Sequence, residues 1–173
     1  MITETLEERK QFNLARAQMA REIVIAGGLV LHAAACAKNG RAYVFSGPSG
    51  AGKSTAMDHS SDAEVLSEEA IALERIGGVW HARGLPYAGD ARFTEKSEKA
   101  FPVAGIYRLH HARENVLVSM RKAEAAHELV TVPECLHCGD LLFRAFAAAA
   151  QIAEDVVCFH LYLRNDETFW KIL

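Results

Sequence analysis

Of the 173 residues, 50% are apolar and 24% charged, with only 12 Gly and 4 Pro, which excludes collagen-like, low-complexity and intrinsically disordered classes and fits one domain around one core. The 19 Lys+Arg against 22 Asp+Glu leave a net charge of -3, so there is no polybasic field to hold nucleic acid by its phosphates. Met1 to Gln11 has no apolar signal region, and no run of about 18 apolar residues occurs anywhere, so a cytoplasmic chain without a membrane segment is expected. Cys36, Cys135, Cys138 and Cys158 are too few and too scattered for a disulfide framework, and reduced thiols follow.

In chain order, Thr5 with Glu8 forms a capping-box signature, and the polar, Ala-rich stretch to Arg21 predicts a helix. Residues 1–22 are therefore read as an N-terminal helix and 23–173 as a single domain. The apolar runs Leu29 to Ala37 and Ala42 to Ser46 flank Lys38-Asn39-Gly40-Arg41, and Asn-Gly between apolar runs predicts a β-hairpin. A short helix is expected after Gly52, ending near His59, and then a strand from Glu64 to Ser67. A second hairpin is expected from Ala70 to Ile76 and Val79 to Ala82 about Gly77-Gly78. Gly84 to Ala100 reads as a loop and Val103 to Leu109 as a strand. Ser119 is positioned to cap a helix over Lys122 to Val130. Asp140 is positioned to cap another over Leu141 to Ala153, with Leu142, Phe146 and Ile152 near one face. Val156 to Leu163 completes the pattern as a strand. The fold class is α/β, a mixed, hairpin-rich sheet with flanking helices.

Between the first hairpin and the short helix, Gly47-Pro48-Ser49-Gly50-Ala51-Gly52-Lys53-Ser54-Thr55 contains a complete G-x-x-x-x-G-K-[ST] motif, placed between strand and helix as the mechanism requires. Its glycines let successive backbone N–H groups curl around an anion. Lys53 supplies a point charge to the outer phosphates and Ser54 a hydroxyl to Mg²⁺. ATP or GTP with Mg²⁺ is the expected ligand. Fifteen residues after Lys53 comes Glu68, in the run Leu66-Ser67-Glu68-Glu69. Strand neighbours point to opposite faces, so a turn is needed to present both carboxylates on one side.

His32-Ala33-Ala34, the short hairpin, the Gly-Pro-Ser-Gly-Ala-Gly-Lys-Ser loop and the early acidic pair resemble the catalytic domain of HPr kinase/phosphorylase and its small relatives, which share a phosphoenolpyruvate-carboxykinase-like fold. The resemblance is clearest from Leu31 to Leu73. It continues loosely through Gly84 to Asp90, Pro102 to Leu109, Lys122 to Val130 and the tail from Phe159 to Trp170. It implies a kinase that moves a γ-phosphoryl group to a hydroxyl of a protein, peptide or small molecule, such as a serine of a protein or peptide. Glu68 would be the base, Glu69 would assist the metal, and His32 would lie near the phosphates. The family carries Asp at the first acidic place; the extra methylene of Glu68 shifts a carboxylate by about 1.5 Å, enough to matter for rate. That departure keeps a second reading open, a catalytically weak nucleotide-binding regulator of the same fold. A homo-oligomer is compatible with either.

Other groups weigh less. Cys135-Leu136-His137-Cys138 has C-x₂-C spacing, with His110, His111 and His127 elsewhere, but no second pair completes a zinc set and none is expected. Arg83, Arg92, Arg108 and Arg113 are candidates for a second cation on the phosphoryl group, and sequence does not choose among them. Phe169 and Trp170 are expected to pack the tail onto the domain.

Overall fold

Asn39 and Gly40 have φ values of 53° and 73°, the left-handed pair that a tight two-residue hairpin turn needs. In this computed structural model, which describes residues 6–86, 97–131 and 139–173, they join β1 (Leu29–Lys38) to β2 (Arg41–Ser46), as the Asn-Gly signal predicts. The chain continues into α2 (Lys53–Asp58), β3 (Glu64–Ser67), β4 (Ala70–Ile76) and β5 (Val79–Gly84). Gly77 and Gly78, with φ of 59° and 85°, make the second hairpin turn in the same way. Then come β6 (Phe101–His111), β7 (Val116–Ser119), α3 (Lys122–Thr131), α4 (Leu142–Asp155) and β8 (Cys158–Leu163), with α1 (Leu6–Ile25) preceding the sheet. The architecture is mixed α/β, with parallel and antiparallel pairings and helices against the sheet.

Two long strands do most of the organising. The first residues of β1, Leu29 to His32, pair with β4, whereas Ala33 to Lys38 pair with β2, and Ala35 to Ala37 pair also with β3 on the other edge. Likewise β6 meets β5 at Phe101 and Pro102, and from Val103 onward runs parallel to β2 and, from Ile106, to β8. Because β2 pairs with both β1 and β6, the strands β2-β1-β4-β5-β6 close on themselves, and β8 and β7 extend outward from β6. Alternation along β1 feeds two cores. Ala33, Ala35 and Ala37 face α1, α3 and α4, while Ala34 and Cys36 join Phe45, Tyr107, Leu161 and Phe169 on the α2 side. A strand covered on both faces reads as a continuous small apolar run.

Several sequence expectations shift. The first helix runs to Ile25, past Arg21, because Ala20, Ile23 and Val24 are its buried anchors. Ser119 is the last residue of β7, paired with Phe159, and α3 starts three positions later, so Ser119 is not its N-cap. Asp140 lies in a 3₁₀ turn with both carboxylate oxygens on Arg21, and Leu141 occupies the N-cap of α4 without a side-chain bond. On α4 Ile152 is buried as expected, but Phe146 is 47% exposed, because the inward stripe consists of Ala145, Ala148, Ala149 and Ala153. Small residues there let α4 lie close to α3 and the sheet. The edge strand β7 has no counterpart among the expected elements; its residues are largely exposed and carry little periodic signal. Among the described residues no helix is long and apolar enough to cross a membrane.

The tail packs as expected. Phe169 is fully buried, edge-on to Phe45 at 6.0 Å, and Trp170 donates from Nε1 to the His59 carbonyl at 3.1 Å. Truncating Phe169→Ala should cost about 3–5 kcal/mol of stability, read by urea unfolding. Asp166 caps this last turn by accepting from Thr168 N at 2.9 Å. Its carboxyl is held down to about 2, first by the Thr168 side-chain hydrogen bond, then against the opposing effect of desolvation. A depressed carboxyl stabilises fully above its unfolded value and loses that contribution as pH falls toward the folded one. Acid unfolding of Asp166→Asn should therefore lack the part of the wild-type pH dependence between about pH 4 and pH 2.

Candidate phosphate-binding site

The Gly47–Ser54 segment leaves the buried end of β2 and turns into α2. Gly47, Gly50 and Gly52 have φ of 145°, 78° and 106°, the conformations for which the motif's glycines are needed. A Cβ on Gly47 would meet the Ala51 Cβ at 2.8 Å. Lys53 folds back over the loop, with Nζ donating to the carbonyls of Gly47 at 2.7 Å and Pro48 at 3.2 Å. Burial alone pushes its pKa below the ordinary lysine value. Ser54 is exposed at the loop's end and Thr55 half-buried. His111 Nε2 hydrogen-bonds the Gly50 carbonyl, turning that oxygen toward β6. With only six residues, α2 adds little dipole, so the anion-binding potential rests on the loop's own N–H groups and Lys53.

Sheet register then assembles the surroundings. Ser46, the residue before the loop, pairs with Ala33 on one side and Arg108 on the other, and Arg108 pairs in turn with His160. Beside Gly47 and Pro48 opens a cavity of about 330 Å³, lined also by His32, Arg108 and Thr131. His32 is half-buried at its edge. Of the three described arginines among the four singled out from sequence, Arg108 is thus the one brought to the loop. Arg83 is ion-paired with Glu74 at 2.6 Å on the β4–β5 hairpin, Arg113 is exposed beyond β6, and Arg92 lies outside the described residues. Arg108 is itself ion-paired with Glu128 on α3. Glu124, one turn earlier, pairs with His160 Nε2 at 2.9 Å, and His160 Nδ1 lies 2.9 Å from His110 Nε2. His110 has its pKa lowered, first by burial, then by His160 and Arg108.

The acidic pair forms the bend between β3 and β4. Ser67 Oγ accepts from the backbone N–H of both Glu69 and Ala70 at 3.2 Å, a side-chain turn that ends β3 where the sequence needs both carboxylates out of a strand. The Glu69 carbonyl accepts from Ala33 N at 3.1 Å. The bend and the root of the loop therefore flank the same strand, two strand spacings or about 10 Å apart. Both glutamates are half-buried. Glu69 Oε1 lies 3.4 Å from Arg16 Nη1 of α1, a contact that sequence reading does not anticipate because it spans 53 positions. Gly84 sets the height of the bend. A Cβ there would stand 2.0 Å from the Leu66 carbonyl oxygen.

The described thiols, Cys36 and Cys158, take no part. Burial pushes Cys36 and Cys158 up to about 12, which leaves them protonated and inert. Cys135, His137 and Cys138 lie outside the described residues.

Loop, cavity and fold together define a mixed α/β protein with a glycine-rich loop at the end of a central strand, beside an open cavity. The chain belongs to the family described as SynChlorMet cassette protein ScmC, which it matches over residues 7–173. No curated protein matches its sequence. Among solved structures it is similar to the Hpr(Ser) kinase/phosphatase from Coxiella burnetii, with 6% identity and a TM-score of 0.45 over 83% of this chain and 90% of that one.

The close approach at Gly84 gives a direct check on how the acidic bend is held. Gly84→Ala should destabilise the protein by about 1–3 kcal/mol in urea unfolding, because the methyl group meets backbone and not a yielding side chain.

Proposed function

We propose that the protein binds a nucleoside triphosphate with Mg²⁺ at the Gly47–Ser54 loop and transfers its γ-phosphoryl group to a hydroxyl acceptor, as an HPr kinase does. The observation that carries the reading is the convergence of Arg108 and His32 with Gly47 and Pro48, whose carbonyls hold Lys53, on one cavity of about 330 Å³. The loop N–H groups hold the inner phosphates, Lys53 reaches the outer ones, Ser54 offers a metal ligand, and Arg108 faces the terminal phosphate. Magnesium, when bound, neutralises charge between the phosphates. His32 at the cavity edge offers a ring nitrogen as a hydrogen-bond partner to the phosphates. Across β1, Glu68 takes the proton from the acceptor hydroxyl as it attacks. Glu69, which meets Arg16, would assist the metal. A serine of a protein or peptide suits this chemistry, and the family's description as cassette proteins makes the other products of that cassette the first acceptors to assay.

One observation favours the alternative, a nucleotide-binding regulator with little turnover. The second acidic residue is engaged by Arg16, which withdraws negative charge from the position where a metal would need it.

Three proteins separate these readings. Mg-ATP at 100 times its Kd should stabilise the wild type by about 2.7 kcal/mol, seen as a rise in Tm, and Lys53→Ala should lose most of that rise. Glu68→Gln should keep the rise and lose about 10²- to 10⁴-fold in phosphoryl transfer. Equal Tm shifts in wild type and Lys53→Ala would remove the loop from the binding site. A wild type without turnover that gains it in Glu68→Asp would favour the regulator.

A further inference from the structure

Arg108 stands between two environments. One side of it lines the open cavity with Gly47 and Pro48, and the other closes a pocket of about 10 Å³ with Glu128, whose remaining walls include Leu31, Ile106, Met120 and Leu129. In that apolar surrounding Glu128 Oε2 is shut off from solvent, and the Arg108 guanidinium is the cation against it. Moving Arg108 wholly into the cavity would leave the buried Oε2 of Glu128 without its counter-charge, which is unfavourable. Arg108 therefore stays anchored. A guanidinium carries five donors in a fixed fork, so one edge can remain on Glu128 while another meets an anion. The anchor is itself fixed, because α3 is docked by Glu128 on Arg108 and, one turn earlier, by Glu124 on His160, the register partner of Arg108. Its apolar side, Ala125 and Leu129, is buried between the two.

The cavity lies at the β2 end of the loop, against Gly47 and Pro48, away from Ser54 and α2. A phosphate chain lying along the loop from α2 therefore presents its terminal group to Arg108. We infer that Arg108, oriented by Glu128, is the residue that distinguishes a nucleoside triphosphate from a diphosphate here, and that Glu128 is its positioning residue. This rests on the nucleotide reading of the loop. It has a consequence for α3: a terminal phosphate on Arg108 ties the helix to the ligand through Glu128, so triphosphate and not diphosphate should tighten α3 against the sheet.

The test is calorimetric titration of the full chain with Mg-ADP and with the magnesium complex of the non-hydrolysable triphosphate AMPPNP, for wild type, Arg108→Gln and Glu128→Gln. In the wild type AMPPNP should bind about tenfold or more tighter than ADP, the difference expected of a charge-assisted hydrogen bond pair. Arg108→Gln should bring the two affinities to within about twofold, and Glu128→Gln should cut the preference at least about threefold, with ADP binding little changed in both. A merely structural loss would weaken both ligands together. Hydrogen exchange of the wild type needs no variant: AMPPNP should slow exchange of the α3 amides from Ala125 to Val130 and ADP should not. The inference is overturned if Glu128→Gln keeps or raises the triphosphate preference, or if both nucleotides protect α3 equally. Should Glu128→Gln fail to fold, the exchange experiment and Arg108→Gln decide alone. Absence of any nucleotide binding in the wild type would sink the reading of the loop and this inference with it; Lys53-dependent binding with an unchanged preference in Arg108→Gln would sink this inference only.

Discussion

The register of one row of residues across the sheet holds the candidate site together. Glu69 accepts from Ala33 through backbone, Ala33 pairs with Ser46, Ser46 with Arg108, Arg108 with His160, and His160 with Val118 of β7. The acidic bend, the root of the glycine loop and the arginine thus come from separate parts of the chain and are aligned by ladder hydrogen bonds. Slipping β2 by one residue against either neighbour would send every side chain to the opposite face. That slip is blocked by the cores on both sides, because Val44 belongs to the cluster under α3 and α4, while Phe45 belongs to the one closed by Phe169. Packing therefore fixes the register, and the register fixes the chemistry.

What was legible in the sequence was local. Both hairpins followed from turns that require positive φ, the strand Glu64–Ser67 emerged with its observed bounds, and the glycine loop announced its own place between strand and helix. The coarse fold class followed from these pieces. Long-range pairing was not legible: Arg108 could not be chosen over Arg83 or Arg113, because the choice is made by the parallel β2–β6 register across 62 positions between Ser46 and Arg108. Nor could Glu128 be linked to it. Ser119 and Asp140 have capping side chains, yet a strand pairing and an ion pair with Arg21 claim them first. The alanine stripe of α4 misled for a related reason, since a helix that must approach closely buries small residues and turns Phe143 and Phe146 outward, at 89% and 47% exposure.

The first helix shows a different balance. Its fully buried residues, among those described, are Ala20, Ile23 and Val24 near its end, with Phe12 and Met19 partly buried against the same core, and charge adds to this packing. Arg16 reaches Glu69 at the acidic bend, and Arg21 holds Asp140 ahead of α4. The Arg21 pair is largely exposed and contributes little, whereas the Arg16 pair is better shielded, at 19% and 27% exposure. Its position matters more than its strength, because it brings a cation from outside the sheet to a carboxylate of the candidate site. The helix is thereby coupled to the electrostatics of the acidic bend.

The two basic groups beside the cavity are held by partners of different kinds, and the difference assigns them different work. Lys53 rests on two carbonyl dipoles of its own loop, and burial has already lowered its pKa, so its charge is poorly compensated. A phosphate offers it a full negative charge in place of partial ones, and the flexible lysine stem lets it leave the carbonyls at small cost. Arg108 rests on a carboxylate whose buried oxygen has to keep a counter-charge, so it does not leave. In the proposed binding of a nucleoside triphosphate, lysine is then the group that moves to the arriving anion, and arginine the group that measures how far that anion extends.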